Sequence, residues 1–287
     1  MTIEGPDALL TNRIWWLRRW PLETEEAVDW ACALFPPDTR ARGLARGYYD
    51  YLWVLQEVLQ AVGGQVAGLR VLDIGCGAGV LDLALTRLGA RVSGLDRFEE
   101  YEAGHDNQMG TTLDIVERLR THGIEVLRRD VASEGLPEDE GAYDLVLLLA
   151  VIEHLHESPK SVLAGIHRLL RPGGHVVITT PNHAWLRTRL RLFAGRSAHH
   201  PLDDWWRTPF FGHVREYTLP ELRRMLEWSG FEIRHATIGN WLHVASRVRG
   251  RNGSPDRWTT RFLLNSPERL AIAASLLITA LVPSLRY

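Results

Sequence analysis

Between residues 69 and 182, short continuous apolar runs alternate with longer stretches in which apolar residues recur every three or four positions. The short runs predict strands at Arg70–Ile74, Arg91–Leu95, Glu125–Arg129, Tyr143–Leu149 and His175–Thr180. The periodic stretches predict helices at Val80–Leu88, Thr111–Thr121, Ser161–Leu170 and, further on, Leu219–Ser229, followed by a strand at Phe231–Ile238. Asp144–Ala150 is apolar almost throughout, as a central strand buried on both faces should be. Strands alternating with helices imply an α/β fold with a doubly wound, mostly parallel sheet.

On the N-terminal side the pattern is helical. Leu9–Trp20 mixes tryptophans with arginines and stops at Pro21, Glu23–Phe35 closes at Pro36-Pro37, and Tyr48–Val62 ends in Gly63-Gly64. Residues 1–66 therefore read as a helical cap, lying either over a ligand site or against one sheet edge. The α/β core is expected over 67–182 and resumes over 217–249. Between them, 183–216 is long for a strand-to-helix connection, and loops of that length are usually functional. Residues 250–287 read as a polar linker and an apolar C-terminal helix, Leu270–Val282. That run is too short to span a bilayer, which needs about 20 residues. It is expected to pack on the domain, on a second copy in a homodimer, or on a membrane surface.

Composition narrows the class without naming a function. The chain has 287 residues, 45% hydrophobic and 24% charged, with a formal net charge of −2 and a pI near 6.6. That is ordinary globular composition, with no global attraction to nucleic acid. The two cysteines, Cys32 and Cys76, suggest neither a disulfide framework nor a cysteine-based zinc site. The start of the chain lacks the apolar core of a secretory signal, so a cytoplasmic protein, at most peripheral to a membrane, is expected.

The chemistry concentrates at Val71–Gly79, VLDIGCGAG. A strand running into Gly75, Gly77 and Gly79 and then into a helix forms a turn in which backbone can adopt positive φ and a ligand can come close. The helix start adds unpaired N–H groups and a positive dipole end. Asp96, at the tip of the next strand and about 20 residues on, suits a ribose diol. NAD and S-adenosylmethionine both carry that ribose. A dinucleotide fingerprint places its third glycine three positions after the second; here the separation is two, and Asp73 precedes the turn.

DIGCGAG resembles motif I of the class I S-adenosylmethionine-dependent methyltransferases. The resemblance extends through Asp130-Val131 after the third strand, Ala150-Val-Ile-Glu-His154 after the fourth, and LLRPGGHVVITTPN, covering about Leu69 to Ile238. It implies a seven-stranded, Rossmann-like methyltransferase sheet whose final antiparallel strand would be Trp241–Val248. It also implies that Asp73 helps hold the methionine amino group and that Asp130 and Val131 bracket the adenine. Cys76, Arg97 and Ala150, beside these motifs, complete the expected cofactor set.

Methyl transfer from a sulfonium needs alignment and exclusion of water, and an oxygen acceptor needs a base or a metal as well. Glu153, His154 and the later His213 are the catalytic candidates. They are similar to the metal-binding Glu-x-x-Glu-His…His set of the small-RNA 2′-O-methyltransferases of plants, and to part of the site of ubiquinone-pathway O-methyltransferases. Ala150 stands where that pattern has its first Glu, so a histidine base is expected rather than a divalent metal; the alternative for His154 is packing beside the cofactor. In the 183–216 insertion and just after it, Trp205, Trp206, Phe211, Arg215 and Tyr217 combine flat apolar faces with polar groups, as a pocket for a sugar or phenol would, or else pack on the core. The expected activity is methylation, at oxygen, of a small molecule, sugar or lipid-linked intermediate, with S-adenosylhomocysteine as product and no nucleic-acid partner. The alternatives are a non-catalytic S-adenosylmethionine-binding scaffold and an NAD-type oxidoreductase; the second is disfavoured by the glycine spacing and by the absence of Tyr-x-x-x-Lys.

Overall fold

Five parallel strands form where the apolar runs lie: β1 (Arg70–Ile74), β2 (Arg91–Asp96), β3 (Glu125–Arg128), β4 (Tyr143–Leu149) and β5 (Leu170–Pro181). The computed structural model describes residues 21–36, 45–98, 111–199, 201–206, 210, 212–239 and 275–283. The sheet is completed by β6 (Glu232–Gly239) and β7 (Ser275–Leu281), in the order β3-β2-β1-β4-β5-β7-β6. The order reverses between β1 and β4, and ligands of open α/β sheets bind at the carboxyl ends of strands at such a point.

Both sheet faces are apolar because both are covered. On β4, Leu145 and Leu147 face one core while Val146 and Leu148 face the other. The first face carries helices α1 (Leu22–Ala33), α2 (Ala45–Ala61), α3 (Val80–Arg87) and α4 (Thr112–Thr121). Ala27, Val28 and Ala31 of α1 are buried, and this helix packs on α2 and α3. Helix α4 starts with a reciprocal cap, in which the Asp114 N–H donates to the Thr111 hydroxyl and the Thr111 N–H to the Asp114 carboxylate. The second face carries α5 (Lys160–Leu169), which buries Val162, Leu163, Ile166 and Leu169, and α8 (Leu219–Trp228), which buries Leu222 and Leu226. Between β5 and α8 lie the short helices α6 (Leu186–Phe193) and α7 (Leu202–Trp205). Pro172-Gly173-Gly174 is absorbed into β5 as an irregularity: pairing with β4 jumps from Tyr143↔Leu170 to Leu145↔His175.

The C-terminal apolar run corrects the sequence reading. Ser275–Leu281 is not a helix but strand β7, antiparallel to both β5 and β6, with Ile278 opposite Ile178 on one side and Ala236 on the other. The run Leu276–Leu281 is apolar or β-branched at nearly every position. A helix would turn part of that surface to water, whereas a strand with a neighbour on each side suits it, and Ala280 joins the second core. The expected helix as a membrane or dimer anchor is withdrawn with it, and no helix among the described residues is long and apolar enough to cross a membrane. The expected helix Leu9–Trp20 and the expected strand Trp241–Val248 lie outside the described residues; the antiparallel position assigned to the latter is filled by β7.

Candidate active site

After β1 the chain passes through Gly75, Gly77 and Gly79 at φ of 76°, 56° and 72°. The N–H groups of Gly75 and Cys76 donate to the Leu95 carbonyl at 2.7 and 3.1 Å, which lays the turn across the end of β2. There the Gly77 N–H donates to Asp96 Oδ2 at 2.9 Å, and the Phe98 N–H to Oδ1 at 2.7 Å. Each carboxylate oxygen keeps acceptor capacity, giving two adjacent acceptors of the kind a vicinal diol needs. Burial raises the Asp96 pKa, while the N–H groups of Phe98 and Gly77 and the charge of Arg97 work against that rise. Phe98 is fully buried at φ 61°, a strained conformation for an aromatic residue.

The glycines also admit protein. A Cβ on Gly75 would meet Val151 at 2.3 Å, and one on Gly79 would meet Leu119 of α4 at 2.3 Å. The first contact brings the segment after β4 against the turn. Gly79 caps α3 in the left-handed conformation without a side-chain hydrogen bond, so the donors of the first helical turn face the turn region uncapped. Asp73, only 3% exposed, has no hydrogen-bond partner on Oδ1, and burial pushes its carboxyl up to about 7. Asp130 accepts from the Ala132 N–H at 2.9 Å and from the Ser133 hydroxyl at 3.0 Å, so it also shapes its own turn. Val131 packs on the second core.

The other half of the site is built where β4 ends. Ala150 takes φ 53° and donates its N–H to the Thr179 carbonyl at 3.0 Å; a short 3-10 turn, Ile152–His154, follows. Glu153 is 0% exposed: its Oε2 accepts from the Thr180 hydroxyl at 3.0 Å, and its Oε1 has no partner. The Glu153 backbone carbonyl accepts from the N–H groups of Val214 and Arg215 at 2.8 and 3.1 Å. Beside it the His183 N–H donates to the Tyr217 carbonyl at 3.0 Å, and Asn182 bridges to Tyr217. The insertion therefore leaves the sheet and returns to it at one place. That return sets His213 edge-on to His154, ring centroids 5.0 Å apart, with His213 Nδ1 2.9 Å from Glu216 Oε1.

Glu153, His154 and His213 bring one ligand atom each to within 4.8 Å of one another. Burial pushes the Glu153 carboxyl up to about 7, against its own N–H, the His213 charge and the Thr180 hydroxyl. Burial pulls His213 down, but the hydrogen bond to Glu216 and the charges of Glu153 and Glu216 raise it overall. Glu216 holds Nδ1, so a proton accepted by the ring, or a cation bound to it, would be taken at Nε2.

The expected substrate residues divide: Trp205 and Trp206 lie at the exposed end of α7, whereas Arg215 and Tyr217 lie in the return segment whose backbone meets Glu153. Trp205 stacks against Phe210 at 4.7 Å, and Trp206 is 82% exposed. Arg215 pairs with Glu221 at 3.0 Å and lies over the Tyr217 ring, which is buried in the second core. These two secure the return of the insertion, and Phe211 lies outside the described residues. Sequence reasoning missed Thr180, Glu216 and Asp82. Glu216 was legible as an acid three residues after His213, and Asp82 as an acid inside an apolar helical run; Thr180 carried no signal before the pairing of β4 with β5 was known.

A family model described as a methyltransferase domain matches residues 45–236, more than half of the chain. A ubiquinone biosynthesis O-methyltransferase of Pseudomonas aeruginosa (strain UCBPP-PA14) is 38% identical over 120 residues, covering 41% of this chain and 46% of that protein. One from Cronobacter sakazakii is 32% identical over 158 residues, covering 53% and 56%. The chain spans about half the length of the curated relatives it matches. The crystal structure of an S-adenosylmethionine-dependent methyltransferase from Mesorhizobium loti matches with a TM-score of 0.51 at 23% identity, over 78% of this chain and 96% of that one, a likeness of fold. The glycine turn, the acid at the tip of β2, the sheet order and the matched domain agree: the chain belongs to the methyltransferase domain family, as a class I member whose cofactor is S-adenosylmethionine.

Proposed function

We propose that this protein transfers the methyl group of S-adenosylmethionine to a hydroxyl oxygen of a small molecule, with a lipid-linked acceptor as the favoured class. The observation that carries the oxygen assignment is the cluster of buried Glu153 with half-buried His154 and His213, joined to the glycine turn through the contact of Val151 with Gly75. Asp96 accepts from the ribose hydroxyls, Asp73 takes the methionine ammonium, and Asp130 and Val131 flank the adenine, with Arg97 beside Asp96. The acceptor oxygen attacks the methyl carbon, the bond from carbon to sulfur breaks, and the hydroxyl proton passes to His213 Nε2. Glu216 steadies the resulting imidazolium through Nδ1. The names of the P. aeruginosa and C. sakazakii relatives support oxygen as the acceptor atom.

A second reading is favoured by the same cluster. Two imidazoles and a carboxylate with an orphaned oxygen suit a divalent ion, and Glu216 behind His213 is the usual support for a ligating histidine. Such an ion, held by Glu153, His154 and His213, would lower the pKa of the acceptor hydroxyl.

The test is transfer of labelled methyl to phenolic and sugar hydroxyls, free and lipid-linked, by wild type and His213→Ala. Loss of about 10²–10⁴-fold in turnover with nearly unchanged cofactor affinity is expected. Full activity in the variant, or transfer to nitrogen or carbon acceptors alone, overturns the proposal. Inhibition by a chelator, reversed by one added metal, assigns the second reading.

The lipid-linked class is supported by the insertion rather than by the C-terminus. Leu190, Leu192 and Phe193 of α6 and Leu202, Trp205 and Trp206 in and after α7 are all exposed, Phe193 at 93%, and Arg187 and Arg196 are exposed among them. Aromatic, aliphatic and arginine side chains exposed within one insertion suit the boundary of an anionic bilayer.

A further inference from the structure

Beneath the glycine turn lies a second carboxyl that the reading above leaves unused. Asp82 is the third residue of α3, in the run Val80–Leu85, and it is 0% exposed. An acid in a first helical turn ordinarily meets water or completes a cap. Here Asp82 turns inward against β2, where a Cβ on Gly94 would come within 2.7 Å of its Oδ2 and 3.0 Å of Cys76 Sγ. Gly94 is the register partner of Asp73 on β1. A glycine on β2 thus makes room for one carboxyl beside another. Apart from each other and the Cys76 thiol, Asp73 Oδ1 and both Asp82 oxygens have no hydrogen-bond partner.

Two buried carboxyls in contact avoid ionising together; one keeps its proton and donates it to the other. The charged and titratable groups facing the pair are Cys76 from the turn and Asp96 from β2, with Arg97 acting on Asp96. Burial raises both acids of the pair. Asp82 is the deeper of the two, 0% exposed with neither oxygen partnered outside the pair and the Cys76 thiol, whereas Asp73 is 3% exposed and only its Oδ1 is orphaned. Asp82 is therefore the member that keeps its proton, and Asp73 the one that ionises. The orphaned Asp73 Oδ1 is an acceptor in want of a donor, and an ammonium brings three.

We propose that Asp82 is a positioning residue for the cofactor: its protonated carboxyl donates to Asp73 and so favours the ionised form of that side chain, which receives the ammonium of S-adenosylmethionine, and at low pH binding of the ammonium displaces the proton that Asp73 then carries. This rests on the reading of Asp73 as the ammonium contact. The sign follows from linkage. The proton leaves to solvent on binding, so cofactor affinity rises with pH up to the free Asp73 value of about 7 and is level above it.

The test is the pH dependence of S-adenosylmethionine and S-adenosylhomocysteine affinity, measured by calorimetry from pH 5.5 to 9 on the full chain and three variants. Asp82→Asn keeps a donor that cannot titrate and is expected to follow the wild-type curve. Asp82→Leu removes the donor and is expected to shift the midpoint upward by about one pH unit, an affinity loss of about fivefold at pH 7 that recovers by pH 9. Asp82→Ala serves as the donor-free variant if the leucine does not fold. Both ligands carry the ammonium, so both should show the shift. A wild-type affinity flat with pH, a donor-free variant with the wild-type midpoint, or an asparagine variant that behaves like the leucine overturns the proposal. Asp73→Asn separates the premise: unchanged affinity in that variant refutes Asp73 as the ammonium contact itself.

Discussion

Single residues in this site are held away from their relaxed states, and each departure has a local cause. Ala150 and Phe98 take positive φ, a conformation that costs an L-residue of order 1–2 kcal/mol. Both stand where a strand of the sheet gives way to the site, after β4 and after β2. Glu153 shows the electrostatic counterpart. Its folded pKa of about 7 lies above the unfolded value of 4.5. Stability linked to this group is therefore fully present below about pH 4.5 and is lost as pH rises through about 7. Glu153→Gln cannot ionise and should be more stable than wild type above pH 7, by up to roughly 3 kcal/mol, with the difference vanishing in acid. Urea denaturation at pH 4.5 and pH 8 reads this directly; an equal difference at the two values would show that ionisation of Glu153 is not the cause.

At the scale of elements, the C-terminal strand matters most. β7 joins β5 to β6, and without it the second half of the sheet has two unpaired edges. A proline in a central strand removes a ladder hydrogen bond and clashes with the pairing. Ile278→Pro should therefore cost on the order of 3 kcal/mol and expose edges that aggregate, measurable as a lowered midpoint of thermal unfolding and as higher-order species by light scattering. An unchanged midpoint would mean that this run contributes little to the sheet. The return of the insertion is a second element-scale feature. The Glu153 carbonyl and the Tyr217 carbonyl together receive the N–H groups that bring residues 213–217 back beside the cofactor side of the sheet. His213 therefore depends on backbone pairing as much as on its own packing.

On the scale of the whole molecule, the sheet separates two cores and gathers the chemistry at the carboxyl ends of β1, β2 and β4. Net charge near zero gives no overall pull toward an anionic surface, so any membrane contact must come from a local patch. The exposed apolar and arginine side chains of α6 are the patch proposed for it. Co-sedimentation with phosphatidylglycerol vesicles should fall about tenfold in the double variant Leu190→Asp and Phe193→Asp, with methyl transfer to a free small acceptor unchanged. Equal sedimentation of variant and wild type would remove α6 as the contact.

Much of this protein was legible in one dimension because local physics is sufficient there. Periodicity placed the first four strands and the helices that flank them to within a residue or two. The glycine spacing marked the turn that the structure builds at positive φ against Asp96, since positive φ and a carboxylate at a strand tip are demands met by residue type. What the amino-acid order could not decide was whatever depends on neighbours distant in the chain. The run at 275–281 is a strand because β5 and β6 stand on either side of it, not because of any period of its own. Trp206 faces water and Tyr217 the core although both were read alike. Glu216, Thr180 and Asp82 acquire their roles only when His213, Glu153 and Asp73 are brought against them, because a buried carboxyl is defined by what closes around it.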